Sequence, residues 1–231
     1  MVGYYRGMLP SSTVENYLKA IYHGQSALPK DERLVPMGLV ASTLGVAPGT
    51  ATTMVKTLAE SGLVDYEPYS GVRLNAKGER LAGLVLRRHR LVELFLVQVM
   101  GMSWAEVHDE AEHLEHVVSE RLIQLIDEML GKPTHDPHGD PIPNPDGTIT
   151  NRHLDSLLTC PVDTPLKVTR VADQDPAFLR FIEDSDLKPG RPVQVEARDA
   201  AADSVALRSR GRRMTIGARA ASKLLVELEH G

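Results

Sequence analysis

The chain has a single cysteine, no long apolar run and no internal repeat. Cys160 has no partner for a disulfide, which suits a reducing compartment. No stretch approaches the roughly 18 consecutive apolar residues that a membrane-spanning helix needs. The opening MVGYYRGMLPSS lacks the apolar centre and small-residue cleavage site of a secretory signal, so a cytoplasmic location away from the membrane is expected. There is no phosphate-binding loop and no nucleophile motif, which speaks against a metallohydrolase or oxidase. What remains is an ordinary soluble composition, 42% hydrophobic and 25% charged, in a length that accommodates two or three small domains.

Charge is unevenly spread over the 231 residues. Residues 1–100 carry a net +3, residues 101–150 a net −9 and residues 151–231 a net +1. A mildly basic first segment is compatible with nucleic acid, whereas an acidic middle repels phosphates and attracts cations.

The order of elements is informative. Ser12 followed by Glu15 has capping-box spacing, and Val14, Tyr17, Leu18, Ile21 and Tyr22 recur at helical spacing, giving a helix over Ser12–His23. Pro29 marks a loop, and Val35–Leu44 reads as a second helix closed by Gly45. Pro48-Gly49 opens a third helix, Thr50–Ser61, which Gly62 stops. Leu63–Tyr66 and Val72–Asn75 flank the turn residues Glu67–Gly71 as a β-hairpin, and a long helix follows over about Glu79–Met100. This is the order of a winged helix-turn-helix. Ser103 and Glu106 have capping-box spacing and predict one further helix to about Leu130. The run GKPTHDPHGDPIPNPDG then reads as loop, in which His135 and His138, like Cys160 beyond it, are weak candidates for metal ligation. From Thr164 onward the pattern turns to β: Leu166–Val171, Pro192–Glu196 and Ser204–Leu207, as in a small barrel.

The stretch VHDEAEHLEHVVSE concentrates imidazoles and carboxylates. With His108 set at 0° on the helix, Glu112, Glu115 and His116 fall at about 40°, 340° and 80°, while Asp109, Glu110 and His113 point elsewhere. His89 and Glu93 form an i, i+4 pair on the preceding helix. Two helices that each present His and Glu at this spacing can enclose a divalent cation. Two other classes share part of this pattern. A helical-bundle metalloenzyme also uses His/Glu clusters, but here no second Glu-x-x-His faces the first. In a metal-independent winged-helix regulator the acidic face would simply be solvated.

The strings STVENYLKAIY (12–22), LRRHRLVELFL (86–96), VHDEAEHLEH (107–116) and HGDPIP (138–143), together with the β-rich tail, resemble the family of the diphtheria toxin repressor, iron-dependent regulator and manganese transport regulator. The resemblance implies a mainly α chain with a small β domain: a winged helix-turn-helix DNA-binding domain over 1–78, a helical dimerisation and metal-binding domain over 79–148, a linker over 149–163 and an SH3-like β barrel over 164–231. It implies a homodimer that binds double-stranded operator DNA when metal-loaded and regulates metal-uptake genes. It assigns Asn16, Glu112, Glu115 and His116 to a sensing site, and His89, Glu93 and His108 to an ancillary site. Asp173, Gln174 and Asp175 are candidates to complete the ancillary site, with Gln174 chosen.

Two departures bear on the ion. Glu112 stands where iron-responsive members carry Cys, and exchanging a thiolate for a carboxylate favours harder ions, so Mn2+ is expected, with Fe2+ the alternative. Asn16 offers a neutral amide oxygen where others have Met or Asp, and Lys19 stands where some manganese sensors have a second acidic ligand. For DNA, Thr50, Thr52, Thr53 and Lys56 are expected to project from the recognition helix, with Arg73 and Lys77 near the wing as phosphate partners.

Overall fold

A computed structural model of the chain describes residues 11–29, 34–150 and 152–229. The opening MVGYYRGMLPSS therefore lies almost wholly outside the described residues. The chain forms two compact units, one comprising residues up to Arg87 with Pro143–Ile149, the other Arg88–Ile142 with the chain from Thr150 on.

In the first unit, α1 (Ser12–Ala27), α2 (Met37–Thr43) and α3 (Pro48–Glu60) precede a hairpin of β1 (Val64–Glu67) and β2 (Gly71–Leu74). The cap of α1 is Ser11 rather than Ser12: its side chain accepts from the Val14 N–H at 3.4 Å. The helix also runs a turn beyond His23. α3 begins at Pro48, whose fixed φ suits the first helical position. Leu18, Ile21, Val40, Val55, Leu58, Val64 and Val72 close one aliphatic core. Val35 lies outside α2 and instead bridges to Val72, so the hairpin gains a third, one-residue neighbour.

The long α4 (Ala76–Gln98) starts where the Asn75 side chain accepts from the N–H groups of Lys77 and Gly78, both at 3.1 Å. Its second half belongs to the second unit. There the single helix expected after Ser103 is two: α5 (Val107–Leu114) and α6 (Glu120–Met129). Ser103–Glu106 is a turn, with no side-chain cap on α5. The β-branched pair Val117-Val118 weakens helix continuation, and Ser119 starts α6 afresh by accepting from the Leu122 N–H at 3.3 Å. Val107, Ala111, Ile123 and Ile126 pack with Leu91, Val92 and Leu96 of α4.

The tail is a six-stranded antiparallel sheet in the order β3-β8-β4-β5-β6-β7. Its strands are β3 (Asp155–Ser156), β4 (Leu166–Val171), β5 (Pro192–Asp199), β6 (Ser204–Ser209), β7 (Arg212–Gly217) and β8 (Leu224–Leu228). Bulges in β4 and β5 bend it. Two short helices, α7 (Pro176–Asp184) and α8 (Ala218–Ala221), were not expected. The expected linker also needs correction, because β3 pairs with β8 while Leu157 and Cys160 are buried in the sheet core. The sheet domain thus starts near Asp155.

Candidate functional site

α4 turns His89 and Glu93 inward, one helical turn apart, and both are buried. His89 Nε2 lies 3.0 Å from Glu93 Oε1 and 3.2 Å from His108 Nδ1, and His108 Nδ1 is 3.2 Å from Glu93 Oε1. The expected trio His89, Glu93 and His108 is therefore assembled. On its other side His89 Nδ1 reaches Glu115 Oε2 at 2.6 Å and lies 3.9 Å from Glu112 Oε1. Glu112 Oε1 is 3.5 Å from His108 Nε2, and His116 Nε2 is 3.4 Å from Glu115 Oε1. Three imidazoles and three carboxylates thus form one continuous cluster rather than two separate sets, with His89 at its hinge. His116 lies past the end of α5, so the wheel drawn for an unbroken helix does not describe it.

Burial alone would raise the pKa of Glu93. The charge of His89 and hydrogen bonds from His108 and His89 outweigh it and hold the carboxyl well below the usual range. Glu93 is an anion in a buried place, which requires positive charge around it.

The structure adds residues that the sequence left in a loop. His138 is fully buried, its Nε2–H donating to the Trp104 carbonyl at 2.9 Å and its ring stacked on the Trp104 indole. In the neutral ring that bond leaves the Nδ1 lone pair free, and Nδ1 lies 3.9 Å from Glu93 Oε2. Asp136 Oδ1 accepts from the N–H groups of His138 and Asp140 at 2.8 and 2.9 Å. Burial, with the charges of Asp140 and Glu93, pushes Asp136 up against the pull of Arg90. Three acceptors, Glu93 Oε2, Asp136 Oδ2 and His138 Nδ1, are buried without a hydrogen-bond partner. Glu93, Asp136 and His138 offer ligand atoms within 4.8 Å of one another, as do His89, Glu93 and His108, and His89, Glu112 and Glu115. An ion about 2.0–2.6 Å from each oxygen fits such separations.

The loop is not loosely held. Arg90 donates to the Pro141 carbonyl at 2.5 Å, Arg170 pairs with Asp140 at 2.5 Å, and Val171 N–H donates to His138 O at 2.8 Å. Gly139, at φ +86°, sits so close to the Thr169 carbonyl that a Cβ would lie 1.9 Å from that oxygen. The spaced His138-Gly139-Asp140 was a legible signal; what the sequence could not give was its anchor on β4.

Other expected residues stand as follows. Asn16 lies in α1 of the first unit, its Oδ1 buried and without a hydrogen bond. Gln174 is half-buried after β4 and makes no hydrogen bond to the cluster; its neighbour Asp173 pairs with Lys223 and Asp175 caps α7. Cys160 is held in the sheet core, with Arg198 3.2 Å from its sulfur. His135 is exposed and bonded to Thr134.

On α3, Ala51, Val55 and Leu58 face the core while Thr50, Thr53 and Lys56 are exposed; Thr52 is half-buried rather than projecting. The Thr52 and Thr53 hydroxyls donate back to the carbonyls of Pro48 and Gly49 at 2.9 and 3.0 Å, leaving their lone pairs outward. In the wing, Arg73 Nε is held by Asp65 at 3.0 Å, and Lys77 is exposed at the start of α4. The sequence reading passed over Tyr69, fully exposed at the hairpin tip with φ +67°.

Comparison with known proteins identifies this arrangement. Residues 9–72 match the iron dependent repressor N-terminal DNA binding domain, 75–144 the iron dependent repressor metal binding and dimerisation domain, and 156–228 the FeoA domain. The iron-dependent repressor IdeR of Mycobacterium leprae is 31% identical over 81% of this chain and 85% of its own length. The chain belongs to the iron-dependent (diphtheria toxin) repressor family. The diphtheria toxin repressor of Corynebacterium jeikeium is 30% identical over 80% of this chain and 71% of its own. Among solved structures, a manganese-dependent transcriptional repressor in complex with manganese superposes with a TM-score of 0.83 at 38% identity, covering 92% of this chain and 98% of that one. The chain is thus a metal-dependent transcriptional repressor of this family and not an enzyme. It combines an N-terminal DNA-binding domain, a helical metal-binding and dimerisation domain and an SH3-like FeoA domain. No described helix is long and apolar enough to cross a membrane.

Proposed function

We propose that this repressor responds to Mn2+, binding operator DNA as a cytoplasmic homodimer when loaded and silencing metal-uptake genes. The observation that carries the choice of ion is the donor set: imidazoles, carboxylates and no thiolate. The one cysteine is fixed in the sheet core, and oxygen with imidazole donors suits manganese better than softer ions. The solved manganese-bound relative supports the same choice.

Glu112, Glu115 and His116 are the proposed sensing ligands, with the buried, unbonded amide oxygen of Asn16 as the fourth. His89, Glu93 and His108 are the proposed second set, and Asp136 and His138 extend it through the other oxygen of Glu93. The cation supplies the positive charge that these buried carboxylates otherwise draw from imidazoles. It can therefore favour one conformation over another, which any ligand-driven switch requires. Thr50, Thr52, Thr53, Lys56, Arg73 and Lys77 are the proposed DNA contacts. For the dimer, Leu122, Leu125 and Met129 form an exposed apolar stripe on α6, flanking buried Ile123 and Ile126; such a stripe suits a partner surface.

Fe2+ is the second reading, favoured by the iron-dependent relatives and open to the same nitrogen and oxygen donors. The test is duplex binding by Glu112→Ala and Glu115→Ala under anaerobic titration with Mn2+ and with Fe2+. Loss of metal-stimulated binding in both variants is expected, with wild type activated at lower free Mn2+ than Fe2+. Unchanged metal dependence in both variants would remove these residues from the sensing role.

A further inference from the structure

The recognition module is short of positive charge. From Met37 to Lys77 it carries Lys56, Arg73 and Lys77 against Glu60, Asp65 and Glu67, and Arg73 is already held by Asp65. Phosphate neutralisation supplies most non-specific duplex affinity and much of the specific affinity, so a balanced module leaves a deficit.

The densest run of arginine lies in the tail. Four of the six residues from Arg208 to Arg213 are arginine, and no other stretch of that length in the chain matches it. They form the β6–β7 hairpin. Ser209 pairs with Arg212, so the hairpin closes on Arg210 and Gly211, at φ +47° and +80°. Two positive φ values in a two-residue loop favour Asn, Asp or Gly at the first position. An arginine there strains the backbone, and strain retained in a folded chain points to a use for the side chain. Arg208 and Arg213 share Glu196 at 2.5 and 3.2 Å. Arg210 lies 3.5 Å from Asp186, which also pairs with Arg191 at 2.7 Å. Arg212 has no carboxylate partner among the described residues. Five arginines therefore face two carboxylates, and the side chains of Arg210 and Arg213 are 55% and 72% exposed.

We propose that the β6–β7 hairpin is a phosphate-binding contact to double-stranded DNA, supplying charge that the winged-helix module lacks. The inference rests on the DNA-binding reading and extends it to a domain to which no such contact is assigned. A contact of this kind reads no bases, so it strengthens binding to any duplex. The competing role is defensive: β7 is an edge strand, and arginines there would block pairing with another copy. Edge protection gives no reason to place Arg210 at the turn.

The test compares the full chain, saturated with Mn2+, with the triple variant Arg210→Gln, Arg212→Gln, Arg213→Gln on a long mixed-sequence duplex across a salt series. The expected result is an affinity loss of about ten-fold or more at low salt, and a slope of log K against log salt shallower by roughly 2–3 per chain. Lysine at the same three positions restores the slope. An unaltered melting curve shows that the variant folds. If wild type binds no duplex, the DNA-binding reading fails and takes this inference with it. If wild type binds and the glutamine variant keeps its affinity and slope, the hairpin contact alone is refuted. Self-association of the variant with an unaltered salt slope assigns the arginines to edge protection and likewise overturns it.

Discussion

The interior of the first unit is closed by aliphatic contacts, whereas a seam of carboxylates and imidazoles crosses that of the second. In the first, Leu18, Ile21, Val55, Leu58 and Val72 close the core, and among the described residues the buried charged side chains are Glu15 and Lys19. In the second, Glu93, Glu115, His89, Asp136, His138 and Asp140 are all buried. Burying apolar surface stabilises a fold without help, at about 25 cal/mol per Å2. Burying carboxylates side by side costs free energy unless positive charge compensates. The aliphatic core of the first region should therefore be indifferent to metal, and the polar seam of the second should depend on it.

Several substitutions sharpen that contrast. The largest effect is expected from Glu115→Ala, which removes a buried carboxylate at the hinge with His89. Mn2+ stimulation of DNA binding should fall about 100-fold, within the upper range of allosteric coupling, as measured by fluorescence anisotropy. Next is Leu58→Ala, which opens a cavity in the first core and should cost about 2–5 kcal/mol. By denaturant melting the loss should be the same with and without Mn2+; a loss that Mn2+ repaired would break the contrast. Leu125→Asp, on the exposed stripe of α6, should shift dimer to monomer in sedimentation while leaving the melting of the first unit alone.

The smallest effect should come from Lys223→Met. Burial raises the pKa of Asp173, but the hydrogen bond and charge of Lys223 outweigh it, so the carboxyl titrates below its ordinary range. A depressed carboxyl stabilises the fold above its unfolded pKa of about 3.9, and that contribution is lost as pH falls through the lower folded value. The pair is partly solvated, so the loss at neutral pH should stay below about 1 kcal/mol. The difference between variant and wild type should vanish in acid.

How much of this was legible depended on whether the signal was local. The helix-turn-helix, the wing and strand β4 follow from periodicity and turn residues, and β4 begins and ends as expected, at Leu166 and Val171. The pair His89 and Glu93 was legible because i, i+4 spacing survives any packing, whereas His108 was joined to it only by the family resemblance. The break between α5 and α6 was missed because an apolar period continued through Val117-Val118, and the cap at Ser119 was read past. α7 had its own signal, Asp175 before Pro176 with Leu179 and Ile182 inward. Strand β7 was hidden by its arginines, which mask alternation. The burial of His138 and Asp136 was beyond local reading, since it comes from Arg90, Trp104 and the Thr169 carbonyl, far away in sequence.

The central claim is that a cation held by the buried histidines and carboxylates of α4, α5 and the 136–140 loop governs DNA binding. Its most direct test is duplex affinity of one preparation, first stripped by chelator and then replenished with Mn2+ at constant ionic strength. Weak binding when stripped, restored by Mn2+ in wild type but not in Glu115→Ala, is the result this account predicts. Equal affinity in the stripped and replenished samples would contradict it.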